Sequence, residues 1–402
     1  MLCEKDTYIS YLPSAHSFEQ ALFAVVCCFG MRCGFFGGDP LKLIKEDLPA
    51  LKPTFFPSVP RVYNKIFGIL NGKINEMTGL KHNVIKGMMN SKIAKYKATG
   101  QVTHCLYDMI VFKKFKAVVG GNVRFMVTGS APIASDVLDF LKCAFCCPII
   151  EGYGMTETSA GSVTTTFGDP KSGHVGGPLA NVKIRLRDIP EMEYLSSANP
   201  PKGEICMWGP SIMKGYFKNP EKTAEALSDG WMASGDVGVI NANGSINIVD
   251  RAKNIFKLSQ GEYIAPEKLE NIYIQSQYLA QVWIHGDSLH DFILIFAVLE
   301  PTELDKYVAG NQIDEKIANS DDILNDAKLQ ELVFADIVKL HGENQCNSLE
   351  KPKNMMLMKE MWTVDNDMVT PTFKLKRNMA KKKYQEQIDK MYEEGMKFGV
   401  KK

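Results

Sequence analysis

From its first residues to about residue 180 the chain alternates strand-like and helix-like segments, and this alternation restricts its fold more than any other feature. Strand, helix and strand in succession call for strands laid side by side with helices stacked on the sheet, the layered α/β arrangement. One cycle is plain. Gly120–Thr128 reads as a turn into a strand over Val123–Val127, and Ala134–Phe145 has helical spacing, with Val137, Leu138, Leu141 and Phe145 on one face. The longest apolar stretch, Ala21–Phe36, is interrupted by Arg32 and is short for a membrane span, so it predicts a buried helix and strand of the core. Residues 180–250 become strand-rich, with Asn243–Gly244 as a hairpin signal between Val237–Ile240 and the alternating pair Ile246 and Ile248. After Asp250 the pattern changes again. Pro266 suits the first turn of a helix carrying Leu269, Ile272 and Tyr273. A strand over Phe292–Leu299 follows, then an amphipathic helix marked by Leu329, Leu332, Val333, Ile337 and Leu340, and a lysine-rich helical segment from Asn378. A length of 402 residues exceeds one ordinary core, and the boundary falls near 250–254, giving domains 1–250 and 251–402.

A net charge of +1 excludes a global pull toward nucleic acid. The charge is uneven, however. Residues 81–116 hold eight Lys against Asp108, and residues 374–402 hold nine Lys and Arg377 against four acidic residues. These are solvated helix faces, or a surface that meets anionic lipid or a polyanionic ligand. Met1–Ser10 is polar and mixed in charge, which predicts no signal peptide, and no stretch predicts a transmembrane segment. Ten cysteines, some adjacent (Cys27–Cys28, Cys146–Cys147), do not make the framework of a small secreted protein and point to a reducing compartment. Cys143 and Cys146 form one C-x-x-C without a second pair at zinc spacing, so a buried, inert role is expected.

Four stretches carry chemistry. In EGYGMTET, residues 151–158, Gly152 and Gly154 let the backbone lie close to a flat ligand, and Tyr153 can stack on a base. Thr156 offers a hydroxyl to a phosphate, and Glu157 a carboxylate to Mg²⁺; the same residues also read as a turn with a capping Thr. In VTGSAPI, residues 127–133, a strand ends at Gly129–Ser130 and Pro132 suits the first turn of a helix, at the end of a sheet where ligands collect. In the run from Asp229 to Glu270, Asp236 follows a Ser-Gly turn and can take both hydroxyls of a ribose. Arg251 has the fork geometry for phosphate or ribose, or pairs locally with Asp250. VTPTFKLKR, residues 369–377, sets three cations within four residues after a Pro-Thr turn.

In order, spacing and wording these stretches resemble the adenylate-forming superfamily, and within it the eukaryotic long-chain acyl-CoA synthetases. DGWMASGDVG and INIVDRAKNIFKLSQGEYIAPEKLENIY are similar to that family's signature almost throughout. YLPSAHSFE, residues 11–19, and GGDPLKLIKEDLPALKPTFFPSVPRVYNKIF, residues 37–67, resemble its upstream text. The resemblance implies an incomplete large α/β domain with a β-rich distal part, the AMP-binding domain, and a small mobile α+β lid domain over 251–402. It implies two half-reactions: a fatty carboxylate attacks the α-phosphate of ATP to give acyl-AMP and pyrophosphate, then coenzyme A displaces AMP. Carried over by motif position, Lys374 is the cation bridging carboxylate and phosphate, Glu157 holds Mg²⁺, and Thr156 lies near the phosphates. Tyr153 packs on adenine, in a pocket lined by Gly129, Ser130 and Ala131 and by Gly152 and Gly154. Asp236 grips the ribose with Arg251 beside it, and Lys257 touches the nucleotide. Lys253 is the hinge, Gly261 borders the coenzyme A passage, and His16 borders the acyl site.

The family's Gly/Ser/Thr-rich phosphate loop, ending in Pro-Lys-Gly and preceding YLPSAHSFE, is not found in these residues. An incomplete portion of a longer protein, a half supplied by another chain, and a short paralogue without full activity are the three expectations for this. Ser234 stands where Thr is usual and keeps the hydroxyl, and Ala252 before the hinge Lys is expected to be neutral. The rival readings are another adenylate former, such as an aryl-CoA ligase, and a non-catalytic acyl-CoA or lipid-binding module. By analogy with the family, the partners are fatty acid, ATP and CoA. The expected location is the cytosolic face of the endoplasmic reticulum or peroxisome, with peripheral membrane contact.

Overall fold

The computed structural model describes residues 2–38, 42–371 and 373–398. Residues 39–41 of the upstream motif, Thr372 of VTPTFKLKR and the last four residues of the lysine-rich tail lie outside that set. The chain divides into two compact units, Met1–Val249 and Asp250–Lys402.

The first unit opens with strand β1 (Thr7–Ser10), helix α1 (Ser17–Phe29) and strand β2 (Arg32–Phe35), followed by α2 (Leu48–Leu51), β3 (Phe55–Ser58), α3 (Pro60–Asn75) and α4 (Gly79–Thr99). The short helices α5 (Cys105–Tyr107) and α6 (Lys113–Ala117) lead into β4 (Phe125–Thr128), α7 (Ser135–Phe145) and β5 (Ile149–Tyr153), then β6 (Val163–Thr164) and β7 (Gly177–Pro178). The seven strands make one sheet in the order β2-β1-β3-β4-β5-β6-β7. Its first five strands are parallel and its last two antiparallel. Helices α3, α4 and α7 cover one face. Tyr63, Ile66, Leu70 and Ile74 of α3 recur at helical spacing and bury against Ile9, Phe56, Met126 and Ile149 of the strands. Each such side chain contributes about 1.5–3 kcal/mol when fully buried.

A second sheet holds β8 (Lys183–Arg187), β9 (Lys202–Trp208), β10 (Leu227–Ser228, after helix α8, Pro220–Ala226), β11 (Trp231–Ile240) and β12 (Ile246–Arg251). The Asn243–Gly244 turn joins β11 to β12 as the sequence predicts, with Gly244 in the left-handed region at φ +81°.

The second unit has a hairpin of β13 (Phe256–Lys257) and β14 (Tyr263–Ile264), helix α9 (Pro266–Tyr273) and strands β15 (Leu279–His285) and β16 (Leu294–Leu299). Helices α10 (Pro301–Asn311), α11 (Glu315–Asn319) and α12 (Ala327–Glu343), strand β17 (Asn354–Met358), and helices α13 (Arg377–Lys383) and α14 (Gln385–Glu394) complete it. Strands β15, β16 and β17 form a mixed sheet with β16 in the middle and wholly buried. Alternate residues of β16 serve two cores. Ile295 and Ala297 face α9 and α12, while Leu294, Phe296 and Val298 face Trp362, Tyr384 and Ile388.

Three expectations need correction. Ala21–Phe36 forms a helix and a strand but is not buried: α1 buries only Glu19, Leu22 and Val26, and Phe35 at the sheet edge is 76% exposed. Pro132 precedes its helix, because Ala134 is extended and caps a helix that begins at Ser135. The lysine-rich stretch is not uniformly solvated: Lys92 is buried, paired with Asp108 and set 4.1 Å from the Phe112 ring centroid. Among the described residues the cysteines are free, and burial pushes the Cys143 and Cys146 thiols up to about 12 and about 11. No helix among the described residues is long and apolar enough to cross a membrane.

Candidate functional site

Strands β4 and β5 are parallel neighbours with Thr128 opposite Glu151, so their carboxyl ends deliver two turns side by side. A Cβ on Gly129 would lie 3.3 Å from the Gly152 carbonyl oxygen, so glycine permits the close approach. Ser130 follows at φ +72°, a left-handed conformation that a serine holds only when its surroundings impose it, and such strain clusters at functional turns. At the neighbouring turn a Cβ on Gly154 would overlap the Ala160 carbonyl oxygen. The Met155 N–H donates to the Thr158 hydroxyl at 3.1 Å, which closes a tight turn over Thr156–Thr158.

Asp236 reaches this place from the second sheet. The register of β11 against β9 shifts between Ala233 and Val237, which marks a bulge over Ser234–Asp236. Bulges re-aim side chains, and this one is pinned at three points. The Gly235 N–H donates to Glu204 Oε1 at 2.8 Å, Arg187 Nε donates to Glu204 Oε2 at 2.8 Å, and the Asp236 N–H donates to the Ser234 hydroxyl at 3.0 Å. Gly235 supplies the φ of +72°. The outcome is a hydrogen bond from the Tyr153 hydroxyl to Asp236 Oδ2 at 2.7 Å, across 83 residues of sequence.

Thr156 is exposed and Glu157 half-buried. The Tyr216 hydroxyl donates to Glu157 Oε1 at 2.8 Å, and the Met213 N–H donates to the Glu157 carbonyl at 2.8 Å. Burial and the neighbouring carboxylate raise the Tyr216 pKa, which keeps the phenol a donor. His16 caps α1: its Nδ1 accepts from the Phe18 N–H at 3.2 Å, and burial lowers its pKa, favouring the neutral ring. The Phe18 ring would lie 3.9 Å from a Cβ on Gly129, which sets the start of α1 beside the first turn. His16, Gly129–Ala131, Gly152–Glu157 and Asp236 therefore gather at one end of the parallel sheet.

The remaining candidates belong to the second unit. Asp250 accepts from the backbone N–H groups of Arg251 at 2.6 Å and Glu267 at 2.8 Å. Burial and the Glu267 carboxylate push the Asp250 carboxyl up from its ordinary range. Lys374 Nζ lies 3.3 Å from Glu267 Oε1, and Arg377 makes a two-pronged contact with Glu270 at 2.8 and 2.5 Å. Lys253 is exposed, in the turn that closes with the Asn254 and Ile255 N–H groups on the Arg251 carbonyl. Lys257 Nζ sits 5.2 Å from the Tyr263 ring centroid, and Gly261, at φ +97°, turns the β13–β14 hairpin.

Sequence reasoning missed Glu204, Tyr216 and Glu151. Glu204 and Tyr216 act through partners 31 and 59 residues away, which no local spacing reveals. Glu151 stood inside a motif without a role. It lies in β5 with Oε2 buried and without a hydrogen-bond partner, and burial pushes its carboxyl up to about 8 against the pull of Lys142.

The family model described as AMP-binding enzyme matches residues 2–217. Long chain acyl-CoA synthetase 7, peroxisomal, of Arabidopsis thaliana is 41% identical over 391 residues, covering 97% of this chain and 55% of the relative. Long-chain-fatty-acid–CoA ligase 1 of Homo sapiens is 40% identical over 391 residues, with the same two coverages, 97% and 55%. The chain thus spans about half the length of the curated relatives it matches. Among solved structures, the adenylation domain of a carboxylate reductase from Mycobacterium chelonae superposes with a TM-score of 0.78 at 24% identity, over 96% of this chain and 54% of that one. The corresponding domain from Segniliparus rugosus, in complex with AMP and a co-purified carboxylic acid, gives 0.77 at 23% identity, over 97% and 55%. The layered α/β fold is that of adenylation domains, and the chain belongs to the AMP-binding enzyme family.

Proposed function

We propose that this chain carries out ATP-dependent ligation of a long-chain fatty acid to coenzyme A through an acyl-adenylate. The observation that carries the reading is the Tyr153–Asp236 hydrogen bond beside the Gly129–Ala131 turn. An aromatic face and a carboxylate held together, with glycine backbone next to them, suit a base and a ribose diol. In this reading Tyr153 packs on adenine between Gly129–Ala131 and Gly152–Gly154, Asp236 takes the ribose, and Arg251 and Lys257 contact the nucleotide. His16 borders the acyl chain.

The first half-reaction brings two anions together, so cations must offset the growing charge. Lys374 supplies one, and its Glu267 partner holds the ammonium until substrate competes for it. Mg²⁺ fits Thr156 and Glu157. Both are hard oxygen donors, the ligand type that this ion prefers. When bound, Mg²⁺ would neutralise phosphate charge. Residues 251–402 act as the lid: rotation about Lys253 would exchange Lys374 for the Gly261 turn, which opens the pantetheine passage. The peroxisomal names of two relatives support a peroxisomal location, and the exposed lysines of α4 support peripheral contact with an anionic membrane.

The two steps are tested separately. With palmitate and ATP, Lys374→Ala is expected to cut pyrophosphate exchange on the order of 100-fold. With palmitoyl-AMP and coenzyme A supplied, thiolysis by the same variant is expected to stay near the parent rate. Equal loss of both steps would sink the assignment of Lys374. Binding of palmitoyl-AMP by the parent chain without turnover in either assay would favour the acyl-CoA or lipid-binding module.

A further inference from the structure

A lysine is almost never fully buried unless its ammonium is paired. Lys92 of α4 is 2% exposed, and three groups surround its Nζ. The Asp108 carboxylate pairs with it, the Phe112 ring centroid lies at 4.1 Å, and Cys146 Sγ lies at 3.2 Å. The carboxylate and the ring account for the buried charge. They do not call for the sulfur, which arrives from another helix, 54 residues along the chain. Cys146 ends α7 at φ +55°, a left-handed conformation uncommon for a side chain of this kind, and from that turn its thiol reaches α4.

The neighbouring thiols are placed differently. Cys143 is 0% exposed and Cys147 2% exposed, whereas Cys146 is half-buried, so a small oxidant meets Cys146 first. Cys146 Sγ lies 3.7 Å from the Cys143 carbonyl oxygen and 3.9 Å from that of Ala144, both longer than its contact with Lys92. Asp108 completes the group. Its Oδ2 accepts from the His104 N–H at 2.8 Å, which turns Oδ1 to the Lys92 ammonium.

We propose that Lys92 and Cys146 are an oxidative modification site, at which hydrogen peroxide joins Nζ to Sγ through one bridging oxygen. The 3.2 Å gap favours this linkage: an oxygen bonded to both atoms nearly spans it, whereas a direct nitrogen–sulfur bond would draw the two atoms much closer. The chemistry balances with two peroxides. In the first step the Cys146 sulfur attacks the peroxide O–O bond, gives up two electrons and becomes a sulfenic acid, and one water leaves. In the second, Lys92 passes its ammonium proton to Asp108, and the amine nitrogen gives up two electrons to the second peroxide. A bond forms between nitrogen and the sulfenic oxygen, one N–H and the sulfenic O–H are lost, and two waters leave. Burial pushes the Cys146 thiol up while the Lys92 cation pulls it back, so the first step is slow and the site answers sustained rather than brief exposure. The bridge ties α4 to the turn before β5, the strand that carries Gly152 and Tyr153. The inference rests on geometry and does not depend on the ligase reading.

The test exposes the full chain to millimolar hydrogen peroxide and maps its tryptic peptides by mass spectrometry. The expected product is one peptide pair joined at Lys92 and Cys146 and left uncut after Lys92. It is one oxygen heavier and two hydrogens lighter than its separate parts. Two molecules of dithiothreitol per bridge should return the thiol, the amine and one water. Cys146→Ser, at a half-buried position, should abolish the pair and leave the circular dichroism of the chain unchanged. A disulfide from Cys146 to Cys143 or Cys147 overturns the proposal, as does a cross-link without the oxygen. So does a sulfinic or sulfonic acid at Cys146 with Lys92 unmodified. An unmodified Cys146 under conditions that oxidise the exposed Cys27, Cys28 and Cys105 overturns it as well.

Discussion

Glu151 shows what burial does to a carboxyl within a glycine-containing motif. With its pKa pushed up to about 8, the folded chain keeps the proton that an unfolded glutamate releases near pH 4.5. Between those values the native state binds one proton more than the unfolded state. Stability therefore falls as pH rises through this window, by about 1 kcal/mol per pH unit from this group. Glu151→Gln keeps the shape and removes the charge. Denaturant melts of the variant from pH 5 to pH 8 should show a shallower loss than the parent; parallel curves would mean that the parent carboxyl ionises normally. Beside it, Tyr153→Phe deletes the donor to Asp236 and keeps the ring. If the hydrogen bond serves to aim Asp236, AMP affinity measured by calorimetry should fall about tenfold to a hundredfold, the effect of one hydrogen bond to a charged group. Unchanged affinity would leave Tyr153 with its ring alone. Asp236 and Tyr153 were legible in the sequence because each stands next to glycine in a short motif. Glu151 was not, because ionisation depends on what packs over a strand, and one strand does not record that.

At the scale of elements, two glycines separate crowding from backbone strain. Gly154 has no room for a Cβ, because the Ala160 carbonyl occupies the space. Gly235 has open space around it and needs glycine only for its positive φ. Gly154→Ala must displace backbone and should cost about 3 kcal/mol, in the range of overpacked sites, and it should weaken AMP binding by moving Tyr153. Gly235→Ala should cost only about 1–2 kcal/mol, the penalty for a left-handed alanine. Equal losses in thermal melts of the two variants would refute this division. The elements themselves were largely readable: α7, α9, α12 and the β11–β12 hairpin follow from helical or alternating apolar spacing with Pro and Asn-Gly as markers. The bulge in β11 was not, because it arises from Glu204 on the adjacent strand. The exposure of α1 was not either, since an apolar helix reads as buried from its residues alone.

The whole molecule is two units with separate cores, and this has a thermodynamic consequence. The second unit places both faces of the β15–β16–β17 sheet inside its own clusters, with Trp362 and Tyr273 almost completely buried. A unit of this size buries about 70% of the surface its extended chain exposes, enough for cooperative folding without a partner. Phe296 lies on the central strand at 0% exposure, so Phe296→Ala removes contacts that belong to that unit alone. The cost should be about 3–5 kcal/mol. Met126→Ala does the same in the first unit, beneath α7, at about 2–5 kcal/mol. If the cores melt independently, scanning calorimetry of the full chain resolves two transitions, and each substitution lowers one and leaves the other in place. A single transition that shifts with both substitutions would mean that the units fold as one block. Independent melting would also suit the lid role proposed for residues 251–402, because a domain that rotates between half-reactions needs a core that does not depend on its neighbour.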